Sequence, residues 1–160
     1  ALAAARPAHH VALRLVAEVA AALDHAHGRG VLHLDLKPEN VLLDGPLPGG
    51  RVRLADFGAV RPAPRVAHSL LGASQAGGAA RTRDYAAPEL LEGGAVDRRA
   101  DVWGLGALAF ELLTGRRPVG LDRPTDLVPG LPRAVDEVLA RALAADPARR
   151  PASALSLIHI

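Results

Sequence analysis

The stretch from Asp101 to Leu113, DVWGLGALAFELL, carries apolar side chains on nearly every side of a helix. A helix that is hydrophobic all round cannot lie on a surface, so it must run through the middle of a domain with other elements packed about it. Thr114-Gly115 closes it. Whatever else the chain forms has to wrap this rod.

Length and composition fit that demand. At 160 residues the chain is one domain, long enough to bury a single sizeable core. Hydrophobic residues make up 49% but aromatic ones only 2%, so the core must be built from Leu, Val and Ala. No run approaches the roughly 20 uninterrupted apolar residues of a spanning helix. There are no cysteines, which excludes disulfides, thiol catalysis and thiolate metal sites and fits a reducing compartment, the cytoplasm. The pI of about 9.9 is basic, yet the formal net charge is only +2. The arginines are scattered from Arg6 to Arg150 with little aromatic interleaving, so the chain reads as no nucleic-acid binder.

Ahead of the buried helix, Val11, Leu15, Val16, Val19, Ala20 and Leu23 recur at helical spacing over His10 to His27, and Gly28 and Gly30 end the pattern. Val41-Leu42-Leu43 and Val52-Arg53-Leu54-Ala55 read as short strands joined by the breaker-rich DGPLPGG, hence a β-hairpin. From Gly58 to Arg83 no period is visible, and a loop that long in a compact domain is usually functional. A last amphipathic helix is expected over about Ala134 to Ala145, with Val135, Val138, Leu139 and Leu143 on one face. The final SLIHI departs from the preceding Ala/Arg bias and is similar to a translated sequencing-adapter tail. Residues 155–160 are therefore expected to be non-native, without structure or function.

The chemistry concentrates in HLDLKPEN, His33 to Asn40, which holds the chain's only lysine, Lys37, and only asparagine, Asn40. Pro38 lacks a donor and biases Lys37 away from the α region, so the motif is a loop. Alone, a D-x-K-x-x-N loop is an ordinary solvated turn with an Asx cap. Here it is followed by the hairpin that delivers Asp56-Phe57-Gly58, then the long aperiodic segment, then Ala87-Pro88-Glu89, the buried helix opened by Asp101, and a late DPARRP. In that order and spacing the pieces resemble the C-terminal lobe of a eukaryotic-type Ser/Thr protein kinase. The Ala/Arg/Gly/Pro bias fits a GC-rich bacterial genome.

The resemblance implies an α+β protein kinase fold. Of it, residues 1–154 would form a mainly α-helical C-terminal lobe with a small catalytic β-hairpin, the N-lobe being absent. It further implies transfer of the γ-phosphoryl of ATP to a Ser or Thr hydroxyl of a protein substrate. Such catalysis is mainly positioning and electrostatic stabilisation. By the resemblance, Asp35 orients the substrate hydroxyl and accepts its proton, and Lys37 offsets charge on the γ-phosphate. Asn40 and Asp56 supply oxygen ligands for Mg²⁺, or for Mn²⁺, which takes the same donors. Arg's planar fork is no substitute for the compact Lys ammonium, which explains a single Lys kept in an Arg-rich chain. Thr82 would bridge Asp35 and Lys37, although its neighbours Arg81 and Arg83 replace the usual Gly and Pro. His33, Phe57 and Gly58 would support the site. Glu89 and Arg150 would form a buried ion pair, with Arg149 as rival, and Asp101 would hold the catalytic loop from below. His25 and His27, two apart on a helix, are a poor chelate.

Three departures matter. Leu34 stands where most relatives have an Arg that pairs with an activation-segment phosphate, so activity is expected not to depend on phosphorylation of Ser69, Ser74 or Thr82. The segment Gly115–Leu131 is short and Pro-rich where a substrate-docking helix is usual. No Gly-rich phosphate loop precedes Ala1, so these residues alone are expected to bind ATP weakly and to be inactive. A catalytically silent pseudokinase scaffold and a small-molecule phosphotransferase stay open as alternatives. Membrane tethering through a missing segment stays open beside the cytoplasmic reading.

Overall fold

In the computed structural model of the chain, residues 7–57, 83–118 and 122–158 are described. The expectations for Gly58, Ser69, Ser74, Arg81 and Thr82, and for nearly all of the aperiodic segment, fall outside them.

Helix α1 spans His9–His27 and turns its expected stripe, Val11, Leu15, Val16, Val19, Ala20 and Leu23, inward. Strands β1 (Val41–Asp44) and β2 (Arg51–Leu54) form the antiparallel hairpin, with Val41 opposite Leu54 and Asp44 opposite Arg51. One-turn helix α2 (Pro88–Leu91) leads to α3 (Arg98–Thr114), the all-round apolar rod. Short helix α4 (Pro124–Leu127) and α5 (Ala134–Ala142) close the domain. Thus Gly115–Leu131 holds only a single helical turn among its described residues. Helix α5 stops three residues before the sequence pattern does, at the approach to DPARRP.

The rod lies where its composition requires. Val102, Leu105, Leu108, Phe110 and Leu113 are all buried, and the core gathers round them from α1, β1 and α5. Two glycines set the spacing. A Cβ on Gly106 would stand 2.8 Å from the Ala142 Cβ, closer than packed carbons approach, so only Gly lets α5 lie this near. A Cβ on Gly104 would meet Leu36 Cβ at 3.2 Å, and Leu36 belongs to the HLDLKPEN loop. The Asp97 side chain caps α3, accepting from the Arg99 amide at 2.7 Å, and Gly115 ends the helix with a left-handed φ of 72°.

The hairpin is tied to α1 by charge. Glu18 accepts from the Val52 amide at 2.8 Å, while Arg14 pairs with Glu18 and donates to the Gly50 carbonyl at 3.2 Å. Of the tail, residues 155–158 are described, and these do take up structure. Leu155–Leu157 form a 3-10 turn whose Leu157 is buried in the core. Asp24 accepts from the amides of Ala154 and Leu155 at 2.9 and 3.1 Å. An apolar Leu next to a capping carboxylate outweighs the unusual composition. No helix among the described residues is long and apolar enough to cross a membrane.

Candidate active site

The HLDLKPEN loop is held from below by one carboxylate. Asp101, in the first turn of α3 and 1% exposed, accepts from the backbone amides of Leu34 (2.7 Å, Oδ1) and His33 (2.9 Å, Oδ2). His27 Nε2 lies 2.7 Å from the same Oδ2. A buried carboxylate with three partners at the N-terminus of a helix is stabilised by all of them and by the helix dipole. His27 is thereby occupied in supporting Asp101, while His25 is exposed. Among the described residues no three His, Asp or Glu side chains gather to hold a metal.

His33 is fully buried. Its Nδ1 accepts from the Asp35 amide at 3.3 Å and its Nε2 reaches the Ala55 carbonyl at 3.1 Å, a pattern that suits the neutral ring protonated on Nε2. Burial lowers the imidazole's pKa from its ordinary value, and the neighbouring carboxylates of Asp101, Asp35 and Asp56 only partly oppose that. The Phe57 ring packs on the His33 ring with centroids 4.8 Å apart. One histidine therefore joins the loop to the strand exit that carries Asp56. A second tie runs from the Ala55 amide to the Asn40 carbonyl at 2.9 Å.

Three of the expected residues meet directly. Lys37 Nζ is 2.7 Å from Asp35 Oδ2, and Asn40 Nδ2 donates to the Asp35 carbonyl at 2.8 Å and to its Oδ2 at 3.1 Å. Lys37 is extended, as Pro38 requires, and Pro38–Asn40 close in a 3-10 turn that brings Asn40 back to Asp35. Both Asn40 bonds use the amide nitrogen, so the amide oxygen takes no part in them. Asp56 is exposed just beyond β2, and its neighbours Ala55 and Phe57 are both tied to His33 of the loop. Next after Asn40 and Val41, Leu42 leaves an apolar side chain 41% exposed.

The backbone marks the same place. Among the described residues only Leu34 (φ 60°) and Asp56 (φ 57°) are non-glycine residues in the left-handed region. Such residues cost about 1–3 kcal/mol each and persist where surrounding bonds over-determine them. One directly precedes Asp35, and the other is itself a candidate ligand.

Glu89 and Arg150 also meet as expected. Arg150 places Nη1 2.7 Å from Oε1 and Nη2 2.8 Å from Oε2, while Arg149 is exposed. The remaining donors of Arg150 go to the carbonyls of Ala144, Arg99 and Ala145, and its guanidinium lies 5.0 Å from the Trp103 ring centroid.

Sequence reasoning did not single out the Ala55 carbonyl, which no residue type betrays, or the pairing of Tyr85 with Glu111. The Tyr85 hydroxyl donates to Glu111, and burial followed by that carboxylate pushes its pKa up. Tyr85 is the chain's only tyrosine, the one signal that could have drawn attention to it.

The chain is similar to known proteins along nearly all of its length. The family model described as "Protein kinase domain" matches residues 5–156. The chain is 42% identical over 166 residues to the serine/threonine-protein kinase PknJ of Mycobacterium tuberculosis, covering 92% of this chain and 27% of that protein. It is 39% identical to PknD of the same organism, covering 89% of this chain and 23% of that one. Among solved structures, the PknI kinase domain of M. tuberculosis superimposes with a TM-score of 0.73 at 34% identity, over 98% of this chain and 56% of that one. The chain thus spans about a quarter of the length of these curated relatives.

Proposed function

The chain belongs to the protein kinase domain family, and on that premise we propose that it carries the catalytic half of a Ser/Thr protein kinase, which moves the γ-phosphoryl of ATP to a protein hydroxyl. The observation that carries this reading is the convergence of Lys37 and Asn40 on the Asp35 carboxylate. The isolated lobe is proposed to be inactive. Transfer is assigned to the protein in which these residues act together with a smaller nucleotide-binding lobe, in the cytoplasm, where ATP is supplied.

In this reading Asp35 accepts a hydrogen bond from the incoming Ser or Thr hydroxyl and takes its proton as the oxygen attacks phosphorus. Asn40 fixes that carboxylate through its amide nitrogen, so Asp35 is aimed before substrate arrives. Lys37 holds one carboxylate oxygen and brings a positive charge to where the transferred group's negative charge accumulates. Leu42, two residues after Asn40, offers an exposed apolar side chain for the flat base of the nucleotide. The donor set fits Mg²⁺, because the Asn40 amide oxygen and the Asp56 carboxylate are hard oxygen ligands. Asn40 and Asp56 would hold the ion from the protein side. When bound, the ion neutralises charge between the phosphates. Thr82 and Gly58 keep the supporting roles that the family pattern gives them.

Replacing Asp35 by Asn in the intact protein tests the reading, since the amide keeps the shape but cannot take a proton. Phosphate transfer to protein is expected to fall about a hundredfold or more while the circular dichroism is unchanged. A variant as fast as its parent would remove Asp35 as the base, and an intact parent that transfers no phosphate would leave the scaffold reading in its place.

A further inference from the structure

We propose that Leu34 is a positioning residue for the transfer reaction, pinning the α2 turn to the loop that carries Asp35 by apolar packing alone. The inference rests on the kinase reading above.

Leu34 is buried in a cluster of its own with Ala87, Leu90 and Ala100, ringed by Leu32, Ala86, Val96 and Trp103. This cluster is separate from the core around α3. Its members come from three places: the HLDLKPEN loop, the Ala87–Leu91 turn and the start of α3. Leu34 is the loop's buried member.

The backbone at Leu34 explains how it gets there. With φ at 60°, Leu34 adopts a conformation that branched L-residues rarely take. The amides of His33 and Leu34 both donate to Asp101, so the unusual turn is fixed from below. Consecutive side chains then serve different neighbours. Leu34 enters the apolar cluster, while Asp35 reaches Lys37 and Asn40.

The α2 turn is thus held at two points. Glu89 is tied by charge to Arg150, and Ala87 and Leu90 are tied by packing to Leu34. A substrate hydroxyl presented to Asp35 must be placed relative to whatever packs against the loop, and displacements of about 1 Å there can lower rates about a hundredfold. Leu34 therefore fixes the relation between the two segments without needing a charge.

The test uses the intact protein containing this chain, as parent, Leu34→Ala and Leu34→Met. Leu34→Ala is expected to lower kcat about tenfold or more with KM for ATP changed less than about twofold, and Leu34→Met, which refills the space, to stay within about threefold of the parent. A second readout is hydrogen exchange at the Leu90, Leu91 and Glu92 amides, which close the α2 turn on Ala87 and Pro88. In Leu34→Ala they should exchange about tenfold faster, with Val16 and Val19 in α1 unchanged. Should Leu34→Ala fail to fold, Leu90→Ala opens the clamp from the other side and is expected to speed exchange of the His33 and Leu34 amides. Unchanged exchange, or an unchanged kcat, overturns the proposal. If the parent itself transfers no phosphate, the kinase reading falls, and exchange still decides whether the clamp exists.

Discussion

Arg150 and Glu89 meet fork to fork, 61 residues apart in sequence, with the arginine side chain fully buried and the glutamate 12% exposed. Every N–H of the guanidinium is used, two on the carboxylate and three on backbone carbonyls. Removing one member of such a pair strands the other charge in a dry site. Arg150→Ala is therefore expected to lower unfolding free energy by about 3–5 kcal/mol, read from urea denaturation. Arg150→Lys should recover only part of that, because an ammonium cannot span both carboxylate oxygens and three carbonyls. An unfolding midpoint unmoved by Arg150→Ala would show that the α2 turn is anchored by something else.

His33 makes stability depend on pH. Burial lowers its pKa in the fold, so below its ordinary value of 6.5 the unfolded chain binds more protons than the folded one. Stability from this group is fully present above pH 6.5 and is lost as pH falls below it, with a slope of at most about 1.4 kcal/mol per pH unit, until the folded imidazole also protonates. His33→Gln removes the titration. The difference in unfolding free energy between parent and variant should be flat above about pH 7 and shrink toward about pH 5. Parallel curves across that range would mean that His33 is not held neutral.

How much could be read beforehand depended on whether one residue type had one use. The all-round apolar α3, the α1 stripe and the two hairpin strands follow from periodicity and breakers, and each is found within a few residues of its expected limits. Lys37 and Asn40 drew attention to their loop because each occurs once, but that they meet Asp35 was implied only by the resemblance of the whole motif order to a protein kinase lobe. The partners of Asp101 and Arg150 were likewise implied by the resemblance and by no local pattern. The left-handed turn at Leu34 was not legible, since nothing in a leucine signals a positive φ; it arises only once Asp101 has captured two successive amides. The burial of Leu157 was hidden for the opposite reason. Its odd composition argued against structure, while its cap, Asp24, lies 131 residues from Leu155 in sequence.

Lys37 tests why a single lysine is kept. Its ammonium sits 2.7 Å from Asp35 Oδ2, with both side chains about a fifth exposed. In Lys37→Arg the planar fork would grip the carboxylate through two nitrogens and spread its charge over a wider group. Phosphate transfer by the intact protein is expected to fall about tenfold or more, since the positive charge is drawn onto Asp35 and away from the transferred group. Full activity in the arginine variant would remove the argument from lysine's geometry.

Leu34 also bears on regulation. An arginine at this position could pair with a phosphate and so make order in the following segment conditional on phosphorylation. Leu34 instead sits among Ala87, Leu90 and Ala100, so position 34 offers a phosphate apolar surface and no charge. The nearby guanidinium of Arg150 is committed to Glu89 and three carbonyls. The α2 turn, the part next to Leu34 that is described, is already held by packing. Complete phosphatase treatment of the intact protein, verified by mass spectrometry, is therefore expected to leave its transfer rate within about twofold of the untreated enzyme. Loss of activity on dephosphorylation, restored on rephosphorylation, would locate the controlling charge at a cation other than position 34.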